Sequence, residues 1–226
     1  MKAQRHFEAS LLWPFLLLAA AASAFMKVAS EVLEGEAHAL DNRILLACRV
    51  AGQPGVPVGP VWFQEGMRDL TALGSPAVLA LTVAAVFGYL LVARQWRMAW
   101  LALGAALGGQ TLALGLKLVF ARARPDDAFH ATVAAGHSFP SSHAMMSAVI
   151  CLTLAALVAR LTPSTRQRVY IMGTAALVTG LVGISRVYLG VHWASDVVAG
   201  WAGGAAWALL CWLLARRMGL GQESSK

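Results

Sequence analysis

The chain has 226 residues, of which 58% are hydrophobic and 13% charged, and its mean hydropathy is +0.64. This composition is too apolar for an ordinary soluble domain and predicts an integral membrane protein. The net charge of +7 would suit nucleic acid, but the basic residues lie at the ends of apolar segments and form no stripe interleaved with aromatic residues, so nucleic-acid binding is not expected. The three cysteines share no metal-ligand spacing and indicate little about the redox compartment.

Six apolar segments are long enough to cross a bilayer, since a transmembrane helix needs about 20 mostly apolar residues. They predict spans at residues 9–28, 75–93, 98–120, 143–161, 169–186 and 194–215. The first segment could also be a cleaved signal peptide, because it follows a basic stretch and Ala22-Ser23-Ala24 resembles a signal-peptidase site. A retained helix is the preferred interpretation, which gives an all-α, six-span bundle forming one domain over residues 1–226.

Residues 29–74 form the one long connection between the predicted spans. Within it, the segment LDNRILLACRVAG has apolar residues at helical spacing, Leu40, Ile44, Leu45 and Cys48, with arginines nearby. This pattern predicts a short interfacial helix in the first outer loop. Three prolines and neighbouring glycines then predict turns.

The orientation follows from the basic residues that lie outside the motifs. They form four groups: Lys2 and Arg5; Arg94 and Arg97; Arg160, Arg166 and Arg168; Arg216 and Arg217. With six spans, all four groups fall on one side, which the positive-inside rule assigns to the cytoplasm. Four other cations lie together on the outer side: Lys117, Arg122, Arg124 and Arg186. A cationic cluster where the rule predicts few cations indicates an anion site.

Three polar segments share this outer face. In KLVFARARP, Lys117 and Arg124 are two helical turns apart, so we expect both to point the same way before Pro125 ends the helix. In FPSSH, a loop enters the fourth span, where backbone N–H groups at a helix N-terminus favour an oxyanion. In SRVYLGVHWASD, Gly190 lets the chain turn, and the four-residue spacing of His192 and Asp196 predicts a shared helix face.

Each segment alone also has a structural interpretation: snorkelling cations, a plain N-cap and a structural His-Asp pair. An anion site explains all three at once. Together they resemble the signature motifs of the type 2 phosphatidic acid phosphatase superfamily, which includes bacterial membrane lipid phosphatases and, more distantly, glucose-6-phosphatase and vanadium haloperoxidases. The matching residues are Lys117-x6-Arg124-Pro125, Pro140-Ser141-Ser142-His143 and Ser185-Arg186-x5-His192-x3-Asp196. Ser142 departs from this pattern, since the family usually has glycine there.

The resemblance implies a phosphate-binding site made of Lys117, Arg124, Ser141, the Ser142 N–H and Arg186. It also implies that His192 is the nucleophile and that Asp196 orients its ring. His143 would protonate the leaving oxygen and later deprotonate the water that hydrolyses the phosphohistidine. Three basic side chains can stabilise the transferred phosphoryl group without a metal, so no cofactor is expected.

Two alternatives compete with this interpretation. A metal site is suggested by residues close together in sequence, Asp126, Asp127, His130, His137 and His143. Their spacings match no ordinary ligand pattern, and such a site would leave the cations without a role. A transporter or channel is the second alternative, but the charges gather at one face and do not cross the bilayer, which favours an enzyme.

The expected substrate is a lipid phosphate or diphosphate, hydrolysed on the periplasmic side of a bacterial inner membrane. Phosphatidic acid, phosphatidylglycerol phosphate and undecaprenyl diphosphate all present a terminal phosphate, so the sequence leaves the choice among them open. Membrane lipids are the other expected partners, and no obligate protein partner is inferred.

Overall fold

The computed structural model describes residues 2–160 and 162–219, which fold almost entirely into helices. The α-helices are α1 Lys2–Glu34, α2 His38–Ala47, α3 Val61–Ala72, α4 Pro76–Val92, α5 Trp96–Phe120, α6 Ser142–Arg160, α7 Thr165–Tyr188 and α8 Ala194–Arg217. A small antiparallel hairpin, β1 Arg49–Val50 and β2 Gln53–Pro57, joins α2 to α3. A single 3-10 turn, Asp127–Phe129, lies between α5 and α6.

Five of the helices in this part of the chain are long and apolar enough to cross a membrane: α1 from Leu12 onward, α5, α6, α7 and α8. The sixth predicted span corresponds to α4, which has 17 residues. α3 and α4 together pass the same length and composition test, but they are bent by 47° at the break between them. The predicted helical architecture is therefore confirmed, whereas the count of six spans stays a prediction.

The long connection contains more regular structure than its prolines and glycines predicted. α1 continues to Glu34, beyond the expected end at residue 28, and the hairpin and α3 were not predicted. α3 is polar on one side, so hydropathy alone did not reveal it. Its other side carries Phe63, Met67 and Leu70, which pack with Leu189 beyond the end of α7. Burial of this apolar side stabilises α3 against the bundle.

α6 lies at the centre of the bundle, and α8 packs closely along it. Gly200 and Gly204 make this approach possible: a Cβ at Gly204 would lie 2.5 Å from the Met145 carbonyl oxygen, and one at Gly200 would lie 2.8 Å from that of Ser141. Small residues four apart allow two membrane helices to approach in this way. The packing places the first turns of α6 and α8 side by side.

The turn between α7 and α8 depends on Gly190, as predicted. Its φ is +73°, and a Cβ there would collide with Arg49 and with the Phe129 backbone. The Arg49 guanidinium fastens the turn by donating to the carbonyl oxygens of Tyr188 at 2.8 Å and Phe129 at 2.6 Å. The chain consequently leaves α7 before it reaches His192.

Candidate active site

The motif residues meet at one end of the bundle, although they come from four separate segments. Lys117 lies in the last turn of α5, Arg186 in that of α7, His143 in the first turn of α6, and Arg124 in the α5–α6 loop. Lys117 is close enough to Arg124, Arg186 and Asp196 to interact electrostatically with all three. His143 interacts in the same way with the three cations. The fold therefore brings the three motifs into one site.

His192 and Asp196 contact each other, but not through a shared helix face. His192 precedes α8, while Asp196 lies in its first turn and accepts a hydrogen bond from the Trp193 N–H at 2.9 Å. The predicted geometry was wrong because α8 begins only at Ala194. The contact forms instead where the chain enters the helix, with 3.3 Å between His192 Nδ1 and Asp196 Oδ2. Both side chains are almost fully buried.

The neighbours of His192 determine which ring nitrogen carries the proton. Nε2 lies 3.1 Å from Arg124 Nη1, and a guanidinium can only donate, so Nε2 must accept. Nδ1 faces an ionised carboxylate, which can only accept, so Nδ1 holds the proton. Burial lowers the pKa of His192 to about 3, against the opposing influence of Asp196. The imidazole is thus neutral, with its Nε2 lone pair directed toward the cations.

Lys117 and Arg124 converge by a route other than the predicted one. α5 ends at Phe120 and Ala121 adopts a left-handed conformation with φ of 44°, so Arg124 is not on the helix. The expectation of two helical turns was wrong because the helix ends well before Pro125. Both side chains nevertheless reach the His137 carbonyl oxygen, at 2.6 Å from Lys117 Nζ and 3.4 Å from Arg124 Nη2. The loop that carries Arg124 folds back over the end of α5.

Arg124 also holds the loop that precedes α6. Its guanidinium donates to the carbonyl oxygens of Ala135 and Gly136, each at 2.9 Å, and to that of Val191 at 2.6 Å. These bonds connect the loop to the segment that carries His192. In this arrangement Arg124 closes the space in front of Nε2.

Two buried polar atoms at the site have no hydrogen-bond partner within the described residues: Arg186 Nε and Ser141 Oγ. Arg186 is 4% exposed and donates through Nη1 to Thr71 Oγ1 at 2.9 Å. Leaving buried donors unsatisfied costs free energy, so such groups suit an anionic ligand. Ser142 is the first residue of α6, where backbone N–H groups lack partners within the helix.

Sequence reasoning missed the groups that surround the Asp196 carboxylate. Arg122 Nη1 lies 2.7 Å from Asp196 Oδ1, and its Nη2 lies 2.8 Å from Asp41 Oδ2. The Ser138 hydroxyl donates to Asp196 Oδ2. The assignment of Arg122 to the anion-binding cluster was therefore wrong, because two buried carboxylates already neutralise it. Asp41, in α2, gave no signal in the sequence because it lies far from the motifs.

The residues of the metal alternative do not assemble. Asp126 caps the 3-10 turn by accepting from the Ala128 N–H at 2.8 Å, and the exposed Asp127 lies 3.2 Å from His130. Within residues 2–160 and 162–219, no three His, Cys, Asp or Glu side chains form a group that could hold a metal ion. His143 lies instead among the cations of the site.

Comparison with known proteins identifies the family of the chain. The model of the PAP2 superfamily matches residues 97–219, which is more than half of the chain. Phosphatidylglycerophosphatase B of Bacillus subtilis (strain 168) is 31% identical over 186 residues, covering 79% of this chain and 84% of that protein.

Two solved structures have the same fold. The PAP2 type phosphatidylglycerolphosphate phosphatase from Bacillus subtilis has a TM-score of 0.73 and 24% identity, covering 91% of this chain and 96% of that one. LpxE from Aquifex aeolicus has a TM-score of 0.55 and 22% identity, covering 69% and 88%. The chain therefore belongs to the PAP2 superfamily and is an integral membrane phosphatase of that family.

Proposed function

We propose that the protein hydrolyses the terminal phosphate of a lipid phosphate or diphosphate through a phosphohistidine on His192. The observation that carries this proposal is the buried, neutral imidazole whose Nε2 lone pair points at Arg124 and whose Nδ1 is backed by Asp196. In the first step, Nε2 attacks phosphorus and the bond to the lipid oxygen breaks. That oxygen takes a proton from His143, which must therefore enter this step as the imidazolium and leave it as the neutral imidazole.

The second step uses the same groups in reverse. His143, now lacking its proton, removes one from water, whose oxygen attacks phosphorus as the N–P bond breaks. Inorganic phosphate leaves, and the electron pair returns to Nε2. Throughout, Asp196 stabilises the charge that develops on the His192 ring.

The cations and the α6 N-terminus would hold the phosphoryl oxygens. Arg186 Nε–H and the Ser141 hydroxyl would donate hydrogen bonds to these oxygens, and Lys117 would add a positive charge beside them. Arg124 would exchange some of its bonds to the 135–137 loop for bonds to phosphate. The Ser142 backbone N–H would contribute as a glycine N–H does, because the substitution leaves the backbone donor in place.

The positioning role of Arg122 gives a testable prediction. Arg122→Gln should lower kcat by about 10- to 100-fold, as changes behind a catalytic group commonly do, with little change in KM because Arg122 would not touch phosphate. Asp41→Asn should lower kcat less, since the Arg122–Asp196 pair remains. Steady-state kinetics with p-nitrophenyl phosphate on both variants measures the changes in kcat and KM separately. A rise in KM at constant kcat would instead make Arg122 a phosphate ligand.

The lipid nature of the substrate is supported by the site's position at the end of a bundle of apolar helices. The similarity to a phosphatidylglycerophosphatase makes phosphatidylglycerol phosphate the first candidate. Phosphate release by detergent-purified protein from this lipid, phosphatidic acid and undecaprenyl diphosphate tests the proposal. We expect release from at least one of them to exceed release from soluble sugar phosphates by more than tenfold in kcat/KM. Preference for the soluble phosphates would overturn the lipid assignment.

We further propose a six-span topology, in which α4 completes the set, α2 lies along the membrane interface and the site opens to the periplasm of a bacterial inner membrane. All four groups of basic residues outside the motifs fall on the opposite side in this topology, which supports this orientation. A reporter fused after Arg216 should therefore be cytoplasmic, and a cysteine replacing the exposed Asp127 should react with an impermeant maleimide in intact cells. Labelling only after permeabilisation would contradict the outward-facing site.

Independence from metal is a separate prediction. Three cations and a helix N-terminus can neutralise the phosphoryl charge, so activity should persist in excess chelator. Vanadate should inhibit, because it can mimic the five-coordinate transition state of phosphoryl transfer. Phosphate release measured with EDTA, then with added Mg²⁺, checks this. Loss of activity in EDTA, with recovery when Mg²⁺ is added, would support a metal-dependent site instead.

A further inference from the structure

A crevice of about 950 Å³ opens at the end of the bundle opposite to His192. It lies between α1 on one side and α6, α7 and α8 on the other. Its walls are mostly apolar, with six alanines among them, and Arg160, Arg168 and Arg216 line it as well. These three arginines lie at the last turn of α6, the first turn of α7 and the last turn of α8, so they mark the end of the bundle far from the active site.

The length of the crevice matches one leaflet of a bilayer. Along α6 its lining extends from Leu152 to Arg160, and along α8 from Ala205 to Arg216. At 1.5 Å per residue these stretches measure about 12 Å and about 16 Å. Half of the hydrocarbon core is about 15 Å thick. An acyl chain of one leaflet therefore fits along the crevice with the arginines at its headgroup end.

The crevice lies beside the part of α1 from Trp13 to Ala21. Farther along the helix, Phe25 and Ala29 join a buried cluster with Phe139 and Ala199. Trp13 is 70% exposed. In a membrane, acyl chains can fill an apolar space of this kind at the depth of the hydrocarbon core.

The charges at the mouth favour an anionic occupant. The guanidinium carbons of Arg160 and Arg216 lie 5.5 Å and 5.4 Å from the centre of the same Trp212 ring, and the two charges interact with each other. Arg168 adds a third positive charge to the same lining. A lipid phosphate at this position would lie among the three guanidinium groups that line the crevice. Basic pockets between transmembrane helices recognise anionic lipid headgroups in this way.

We propose that this crevice is a binding site for an anionic phospholipid of the leaflet opposite to the active site. An acyl chain lies between α1 and the α6–α8 pair, and the lipid phosphate binds Arg160, Arg168 and Arg216. The lipid fills the gap beside residues 13–21 of α1 and fixes that helix to the bundle. This site is separate from the proposed catalytic chemistry and does not depend on it.

Native mass spectrometry of the detergent-purified protein, after incubation with phosphatidylserine or phosphatidylcholine of the same acyl chains, tests the proposal. Phosphatidylserine is chosen because it has no terminal phosphate for the His192 site. The variant Arg160→Gln/Arg168→Gln/Arg216→Gln removes the headgroup contacts. The matched control, Arg94→Gln/Arg166→Gln/Arg217→Gln, removes the same charge at the same end of the bundle, from arginines that do not line the crevice.

Wild-type protein and the control should retain phosphatidylserine at least about tenfold more than the crevice variant does, because each basic residue near an anionic lipid contributes about a factor of five. A second variant, Ala156→Trp, keeps the arginines but fills the crevice, and it should also lose the lipid. Equal retention by the crevice variant and the control would overturn the proposal. So would equal retention of both lipids by the wild type, which would indicate an ordinary non-selective lipid shell.

Discussion

His192→Ala should eliminate the phosphoenzyme and lower kcat by at least about a thousandfold with every substrate, on the scale of losing a catalytic nucleophile. Among the described residues, Lys117 and Arg124 donate to backbone carbonyl oxygens and Asp196 is enclosed by Arg122, Ser138 and the Trp193 N–H, so none of these three takes the place of His192. The variant should still fold, because the alanine removes the buried ring without leaving an unpaired charge.

His137→Ala is the matched control for this variant. His137 is exposed, and it is its backbone carbonyl that accepts from Lys117 and Arg124, so its side chain should be dispensable. Activity within about twofold of the wild type is expected. If the His192→Ala protein still formed a phosphoenzyme, another residue would be the nucleophile.

His143→Ala should produce a defect whose size depends on the leaving group. His143 lies in the first turn of α6, among the cations proposed to hold phosphate, where it can reach an oxygen that leaves phosphorus. An alkoxide leaving from a lipid needs a proton, whereas p-nitrophenolate needs little protonation. The first step should therefore slow by about 10²- to 10⁴-fold for the lipid, the usual contribution of general acid catalysis, and much less for p-nitrophenyl phosphate.

The activated substrate should then reveal the second step. Without His143, water lacks its general base, so phosphohistidine should accumulate and a burst of p-nitrophenol should precede a slow steady state. A diphosphate lipid should show an intermediate defect, because a phosphate monoester leaves more readily than an alkoxide. Equal losses with all substrates, and no burst, would mean that His143 positions phosphate and transfers no proton.

The sequence predicted the participants of the site better than their geometry. Lys117, Arg124 and His192 do come together, because the predicted spans place the segments that carry them on the same side of the membrane. The local geometry was wrong because Ala121 turns the chain out of α5 before Arg124 is reached, and because α8 begins only after His192. A left-handed alanine has no sequence signal, so the turn that takes Arg124 off the helix could not be predicted.

The residues behind the site were the least predictable. Arg122 carries the same charge as Arg124, and only the fold shows that one pairs with carboxylates while the other faces His192. Asp41 reaches Arg122 from α2, across more than 80 residues of sequence. Such long-range pairs depend on tertiary packing, which no local pattern encodes.

A covalent bond between phosphorus and His192 can be trapped by incubating the His143→Ala protein with ³²P-labelled p-nitrophenyl phosphate, quenching in alkali and locating the label by peptide mass spectrometry. We expect an acid-labile, base-stable phosphoryl group on His192, absent when His192→Ala is added. Label on any other residue, or turnover without a trapped label and with inversion at phosphorus, would contradict this expectation.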